Sequence, residues 1–329
     1  MYVSWTMKAL SAVVVAGLML GAPAMGGEWP TRTVTMVQPN APGGGGDVLG
    51  RIIAPHLSDL LGRPVIVENV AGAGGMVGSA RVAKATPDGY QFLLGNTGTS
   101  AVNQSLYKKP LYDAITDFAP VALVAEQPTV LIVRADLPVN NLQEFIAYAR
   151  RNQGHMQYGS GGTGSAVHLA CALLNAAAGV EITHVPYRGN APAMQELIAK
   201  RIDYQCPTIA SAIPLIQAKS VKALAILGVS RSPSLPDLPT AREQGLKGFD
   251  AGTWNAVFFP SGTPDGIVRK MNQAVVATTA MPTVKTRLRD VGFEVVPADR
   301  QTPEFFQTFL RAEVAKWAAA IKAAHISAQ

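Results

Sequence analysis

"TVTMVQPNAPGGGGDVLGR", Thr33 to Arg51, joins an apolar run to a helical pattern through four consecutive glycines. The first part reads as a buried strand, and Val48 to Leu61 carries apolar residues at helical spacing. Between such elements, bare backbone N–H groups and the positive end of the helix can meet an anion. Each glycine is costly to order, so four in a row ask for a reason. Asp47 is placed to cap the helix with its own carboxylate and is not read as a ligand contact. A flexible turn is the plain alternative to an anion site. The dinucleotide fingerprint fails, because with Gly43 and Gly45 in the first two glycine positions the third is Val48. No Gly-Lys-Ser/Thr follows for a nucleoside triphosphate.

The alternation continues along the chain. "PVIVENV" and "GYQFLLG" read as further strands, and Met76 to Ala83 as a helix. "MQYGS", "ITHVPY", "IDYQC" and "KALAILG" follow as strands, with helices at Ala166–Ala178 and Pro192–Lys200. This order predicts an α/β protein with mostly parallel sheets covered by helices. The theme runs twice, before and after about Val121, which predicts two similar lobes. "PVALVAEQPTVLIVRADLP" holds two strand-like runs that can carry the chain across. The last helix, Pro303 to about Ala324, puts Phe306, Leu310, Val314, Trp317 and Ile321 on one face, a core stripe.

Two more glycine clusters stand at strand ends. "NVAGAGGMVGS", Asn69 to Ser79, misses the dinucleotide spacing at Val77 and reads equally as a tight turn or a functional loop. "YGSGGTGSAVHLA", Tyr158 to Ala170, interleaves glycines with Ser160, Thr163 and Ser165, whose hydroxyls can donate to a carboxylate. It lacks the nucleophile-elbow pattern, but glycine loops at strand C-termini are where open α/β sheets bind ligands. The five histidines show no metal spacing. His168 and Cys171, three apart on one helix, would allow a zinc pair or a Cys–His dyad, but no further ligand cluster joins them. Arg188 is read as a solvated residue before an anion contact.

With 329 residues, 48% hydrophobic and 15% charged, the chain can bury a large core in two domains. Its net charge of +6 is mild and no lysine or arginine run exceeds two residues, which argues against nucleic-acid binding. Lys8, an apolar run from Ala9 to Leu20 and Ala22-Pro23-Ala24 predict a signal peptide over residues 1–24, cleaved after Ala24, with Met7 a better start than Met1. The apolar core is too short to span a bilayer. The mature protein is therefore expected to be exported.

Six blocks then carry a resemblance: "WPTRTVTMVQPNAPGGGGDVLGR", "PVIVENVAGAGGMVGSARVAKATPDGYQFLLG", "YGSGGTGSAVHLA", "HVPYRGNAPAMQEL", "RSPSLPDLPTAREQG" and "WNAVFFPSGTP". Together, from about Trp29 to the C-terminus, they resemble the Bug family, extracytoplasmic solute receptors of tripartite tricarboxylate transporters. The resemblance implies a type II-like periplasmic binding protein: lobe 1 over 25–123 and 251–329, lobe 2 over 124–250, two crossings, and a cleft that closes on a small organic carboxylate. It implies a monomeric receptor, not an enzyme, without a cofactor, serving one large and one small membrane subunit. A ligand-sensing role in signalling and a secreted hydrolase are the competing readings.

Carried over by position, the first ligand loop falls on Pro39 to Asp47, with Asn40, Ala41, Pro42, Gly43, Gly44 and Gly45 as contacts. Asn96, Thr97 and Thr99 add a further first-lobe contact. Ser160, Gly161, Thr163 and Ser165 form the second-lobe loop, and Ala191, Pro192, Cys206, Pro207 and Thr208 complete the pocket. Asn40 stands where the family usually has an aromatic residue, Glu196 where it has Asp and Lys200 where it has Gly. Cys171 and Cys206, the only cysteines, border that pocket, and in an oxidising compartment they are candidates for a disulfide, with two buried thiols as the alternative.

Overall fold

The computed structural model describes residues 29–228 and 230–323. The expected leader and its cleavage site lie outside the described residues, as does His325. The chain runs β1 (Val34–Gln38), α1 (Gly45–Leu61), β2 (Val65–Asn69), α2 (Met76–Ala83), β3 (Gln91–Asn96), α3 (Asn103–Leu106) and β4 (Phe118–Gln127). It continues through β5 (Val130–Arg134), α4 (Leu142–Asn152), β6 (Gln157–Ser160), α5 (Ala166–Ala178), β7 (Thr183–Pro186), α6 (Asn190–Ile198), β8 (Tyr204–Gln205), α7 (Ile209–Gln217) and β9 (Val221–Ile226). It ends with β10 (Thr253–Pro260), α8 (Asp265–Ala280), α9 (Pro282–Asp290), β11 (Glu294–Val295) and α10 (Pro303–Ala323).

These strands form two sheets, ordered β11-β4-β10-β3-β1-β2 and β7-β6-β8-β5-β9. The chain passes from the first to the second at Pro128–Thr129 and returns between β9 and β10. The central strands of both sheets are buried on both faces, and this is why they read as continuous apolar runs. In the first, Met36, Leu94, Val257 and Phe259 pack with α1, α8 and α9, while their neighbours Val37, Leu93, Ala256 and Phe258 pack with α2, α3 and α10. In the second, Leu131 and Val133 meet α4 and α5, whereas Val130 and Ile132 meet α6 and α7. The period-2 alternation of a strand thus feeds two cores. The α10 stripe lies as the spacing predicts: Phe306, Leu310, Trp317 and Ile321 are buried and Val314 partly so.

The expectation of mostly parallel sheets is corrected. β1 pairs in parallel with β2 and β3, and β6 with β7 and β8. But β10 is antiparallel to β3 and β4, β11 to β4, and β5 to β8 and β9. For β5 and β10 the physical reason lies in the crossings. A strand arriving from the other lobe starts at the cleft, where the parallel strands end, so it must run against them. Among the described residues no helix is long and apolar enough to cross a membrane.

Candidate functional site

The parallel strands of the first sheet end in amides. Gln38 closes β1, Asn69 closes β2 and Asn96 closes β3. They hold Asn40 from three sides. Its N–H donates to Gln38 Oε1 (2.8 Å), its carbonyl accepts from Asn69 Nδ2 (3.0 Å), and its Oδ1 accepts from Asn96 Nδ2 (3.2 Å). Thr99 Oγ1 takes the Asn96 N–H at 3.0 Å and orients that residue in turn. Immediately beyond, α1 begins at Gly45 with Gly44 as its N-cap. The first backbone bond of the helix is Val48 N–H to Gly44 carbonyl (3.0 Å), which leaves the N–H groups of Gly45, Gly46 and Asp47 without helical acceptors.

Three helices of the second sheet start against the same space. Ser165 caps α5, its Oγ accepting from the His168 N–H at 3.3 Å, so the N–H groups of Ala166 and Val167 stay outside the helical ladder. α6 starts at Asn190, whose Oδ1 accepts from Gln205 Nε2 (2.6 Å) and whose Nδ2 donates to Ser211 Oγ (3.1 Å). α7 starts after Thr208, whose Oγ1 lies 3.3 Å from Ser211 Oγ. Between these four helix starts lies a cavity of about 60 Å³. Its first-sheet wall is Asn40, Gly44, Gly45, Gly46, Asn96, Thr253 and Asn255, and its second-sheet wall is Gly161, Ser165, Ala166, Val167, Asn190 and Thr208. No charged side chain lines it. The positive potential comes from helix ends, each equivalent to about half a positive charge, and from free N–H groups. That is an anion site built from backbone.

A larger cavity, about 200 Å³, opens at the crossings and is lined by Glu126, Asp250, Glu294 and Glu313 beside Trp254 and Phe309. Four carboxylates against the single cation of Lys316 leave that cavity net negative and repel an anion, so size does not select the site here. Among the described residues, no cluster of three His, Cys, Asp or Glu could hold a metal.

Of the residues expected to contact ligand, Asn40, Gly44, Gly45, Asn96, Gly161, Ser165 and Thr208 come together at the cavity. The others are used elsewhere. Ala41 packs toward Gly189 and Gly43 toward Ala191 of the opposite wall, while Pro42 and Pro192 are exposed. Asp47 is corrected as the cap. It sits in the first helical turn, takes the Gly43 N–H at 3.0 Å and pairs with Arg51 at 3.0 Å, so the Gly43 donor is already occupied. Thr97 Oγ1 accepts from the Trp254 N–H (2.9 Å), and Thr99 serves Asn96. Ser160 is fully buried with its Oγ on His184 Nε2 at 2.7 Å. The Thr163 carbonyl accepts from Tyr107 Oη. The Pro207 carbonyl takes the Val130 N–H. Cys206 is disulfide-bonded to Cys171, Cα–Cα 5.3 Å, tying α5 to the start of α7. That bond also removes the Cys–His dyad and zinc-pair readings. His168 instead accepts from the Gly164 N–H through Nδ1 and stacks on His184 at 4.1 Å. Arg188 is exposed.

The reading missed Gly46, Ala166, Val167, Asn190, Thr253 and Asn255. Two of these had a signal: once Ser165 is a cap, the next two N–H groups must be free. Asn255 and Thr253 come from a strand antiparallel to its neighbours, which no local pattern announces.

Residues 49–326 match the tripartite tricarboxylate transporter family receptor. The chain belongs to that family. Among solved structures it is 39% identical to the periplasmic binding protein BugD, with a TM-score of 0.88 over 92% of this chain and 100% of that one. MatC from Rhodopseudomonas palustris with bound malate is 38% identical, TM-score 0.86, over 89% of this chain and 100% of MatC. The R. palustris protein Rpa4515 with adipate is 36% identical, TM-score 0.86, over 91% and 99%. Members of this family are solute-binding receptors, and the two-sheet architecture is that of periplasmic binding proteins.

Proposed function

We propose that this receptor captures a small organic carboxylate in the cavity between the four helix starts and hands it to the large and small membrane subunits of a tripartite tricarboxylate transporter. The convergence of α1, α5, α6 and α7 on one uncharged cavity carries this reading. Hydrogen bonds to a charged group contribute roughly 1.5–3 kcal/mol each. Four of them approach the ~8 kcal/mol of a micromolar complex after association costs. The closing units are the parts carrying the two sheets, with the crossings at 128–129 and near Gly252 as the hinge, so the first unit extends to Gln127. We read the protein as a monomeric periplasmic binding protein, exported by its leader, and not as a hydrolase. The Ser160–His184 contact is walled in by Tyr158 and His168 and does not open on the cavity. Calorimetric titration of mature protein with malate and adipate, and with a primary amine as control, tests the reading. Micromolar diacid binding is expected. Binding of the amine in preference to either acid would refute it.

A further inference from the structure

The polar side chains of the cavity are not equally engaged. Asn40 and Asn96 bond each other, and Asn190 bonds Gln205 and Ser211. Ser165 caps α5, Thr208 meets Ser211, and Thr253 Oγ1 donates to Thr97 Oγ1 at 3.0 Å. Asn255 lines the same cavity and is only 2% exposed. Among the described residues its side-chain amide has no hydrogen-bond partner.

β10 puts it there. Thr253 and Asn255 share the strand face that meets the cavity, whereas Trp254 and Ala256 enter the core on the opposite face. A Cβ at Gly46 would lie 3.4 Å from Asn255 Oδ1. The amide therefore stands beside the first turn of α1, where free N–H groups face a carboxylate. Whichever way an amide is turned, it offers one donor and one acceptor. A carboxylate only accepts, so it can satisfy Nδ2 but leaves Oδ1 bare, and a buried acceptor without a donor is costly.

We propose that Asn255 sets the specificity of this receptor: the ligand carries a hydrogen-bond donor, a hydroxyl or an ammonium, on the carbon next to the carboxylate held by α1, and Asn255 Oδ1 accepts from it. This rests on the carboxylate reading above and narrows it to 2-substituted acids. A site built to bond such a group rejects the analogue that lacks it, because the buried polar atom is then unpaired.

Calorimetric titration of mature protein with succinate, both enantiomers of malate, aspartate and adipate tests the proposal. Succinate, malate and aspartate differ at one carbon only, by hydrogen, hydroxyl or ammonium. In wild type the better of malate and aspartate should bind about five- to 150-fold tighter than succinate. Malate ahead of aspartate makes the donor a hydroxyl, and the reverse makes it an ammonium. Asn255→Leu keeps the volume but removes both hydrogen-bonding atoms, so it should erase the difference while succinate binding persists. Succinate or adipate bound as tightly as malate and aspartate in wild type would overturn the proposal and leave the carboxylate reading standing, even if the variant failed to fold. A preference that survived Asn255→Leu would do the same. If none of the acids bound, the carboxylate reading would fall and this one with it.

Discussion

Two glycine-rich turns leave the first sheet side by side, one after β1 and one after β2, and each leads into a helix. Their compositions are alike, but their neighbours differ. In the first, Gly44 has ordinary extended backbone and a Cβ there would find nothing closer than 3.7 Å, whereas one at Gly45 would lie 2.5 Å from Thr208 Oγ1 and 2.8 Å from Gln127 Oε1. One at Gly46 would overlap the Gln38 amide. In the second turn, Gly74 is pressed against the backbone of the other lobe. The first turn uses glycine to bare N–H groups at a helix start, and the second uses it to let two backbones touch. A glycine's purpose is therefore set by what faces it.

The sharpest test of that contrast is Gly45→Val. Its side chain would collide with Thr208 across the cavity, so diacid binding in a titration should fall more than about 100-fold while circular dichroism shows a folded protein. Retained binding would mean that the first turn, like the second, is only a packing device.

The opposite wall is fastened covalently. Replacing Cys171 and Cys206 with alanine should cost about 3–4 kcal/mol in the chain-entropy model for a 35-residue separation, read by urea unfolding. An unchanged midpoint would show that the apolar core around α5 suffices alone.

Acid should loosen the same wall before it touches the first turn. Burial lowers His168 to about 4 and, together with the charge of His168, His184 to about 3. Both rings are neutral in the fold but protonate at about 6.5 when unfolded, so their stabilising contribution is complete above about pH 6.5 and is lost as pH falls toward 4. Each unit of depression corresponds to about 1.4 kcal/mol. Melting curves from pH 7 to 4 should drop, and His184→Gln should flatten the drop.

Asp47 behaves in the more familiar carboxylate manner. Burial pushes its pKa up, but bonds from Arg51, the Gly43 N–H and Asn69 outweigh that and hold it below 3.8. Its contribution is present above pH 3.8 and lost as pH falls through the lowered value. Asp47→Asn should cost about 1 kcal/mol of stability at pH 7 with little change in affinity, because the Gly43 donor it occupies faces away from the cavity. The smallest effect belongs to Gly44→Ala, within about 0.5 kcal/mol in melting. A large loss there would show that the first turn is as crowded as the second.

Much of this molecule follows from short-range pattern. Apolar runs bounded by turn residues marked β1, β2, β3, β6 and β7, and helical spacing marked α2 and α5 at their observed ends, because backbone hydrogen bonding and burial act over a few residues. Ser165, read as a ligand donor, proved to be a cap, and the free donors of Ala166 and Val167 come with it. Family blocks pointed to seven cavity residues. The tertiary structure alone decided the rest. It ran β5 and β10 against their neighbours, because a strand crossing a hinge must enter at the cleft, and so brought Thr253 and Asn255 to the site. It chose among three glycine clusters of similar composition, since Gly44 to Gly46 face the cavity whereas Gly74 faces the Thr163 backbone. It also committed the Ser160 and Thr97 hydroxyls to protein partners. A hydroxyl's role depends on which acceptor lies within about 3 Å, and that distance is set by chain segments far away in sequence.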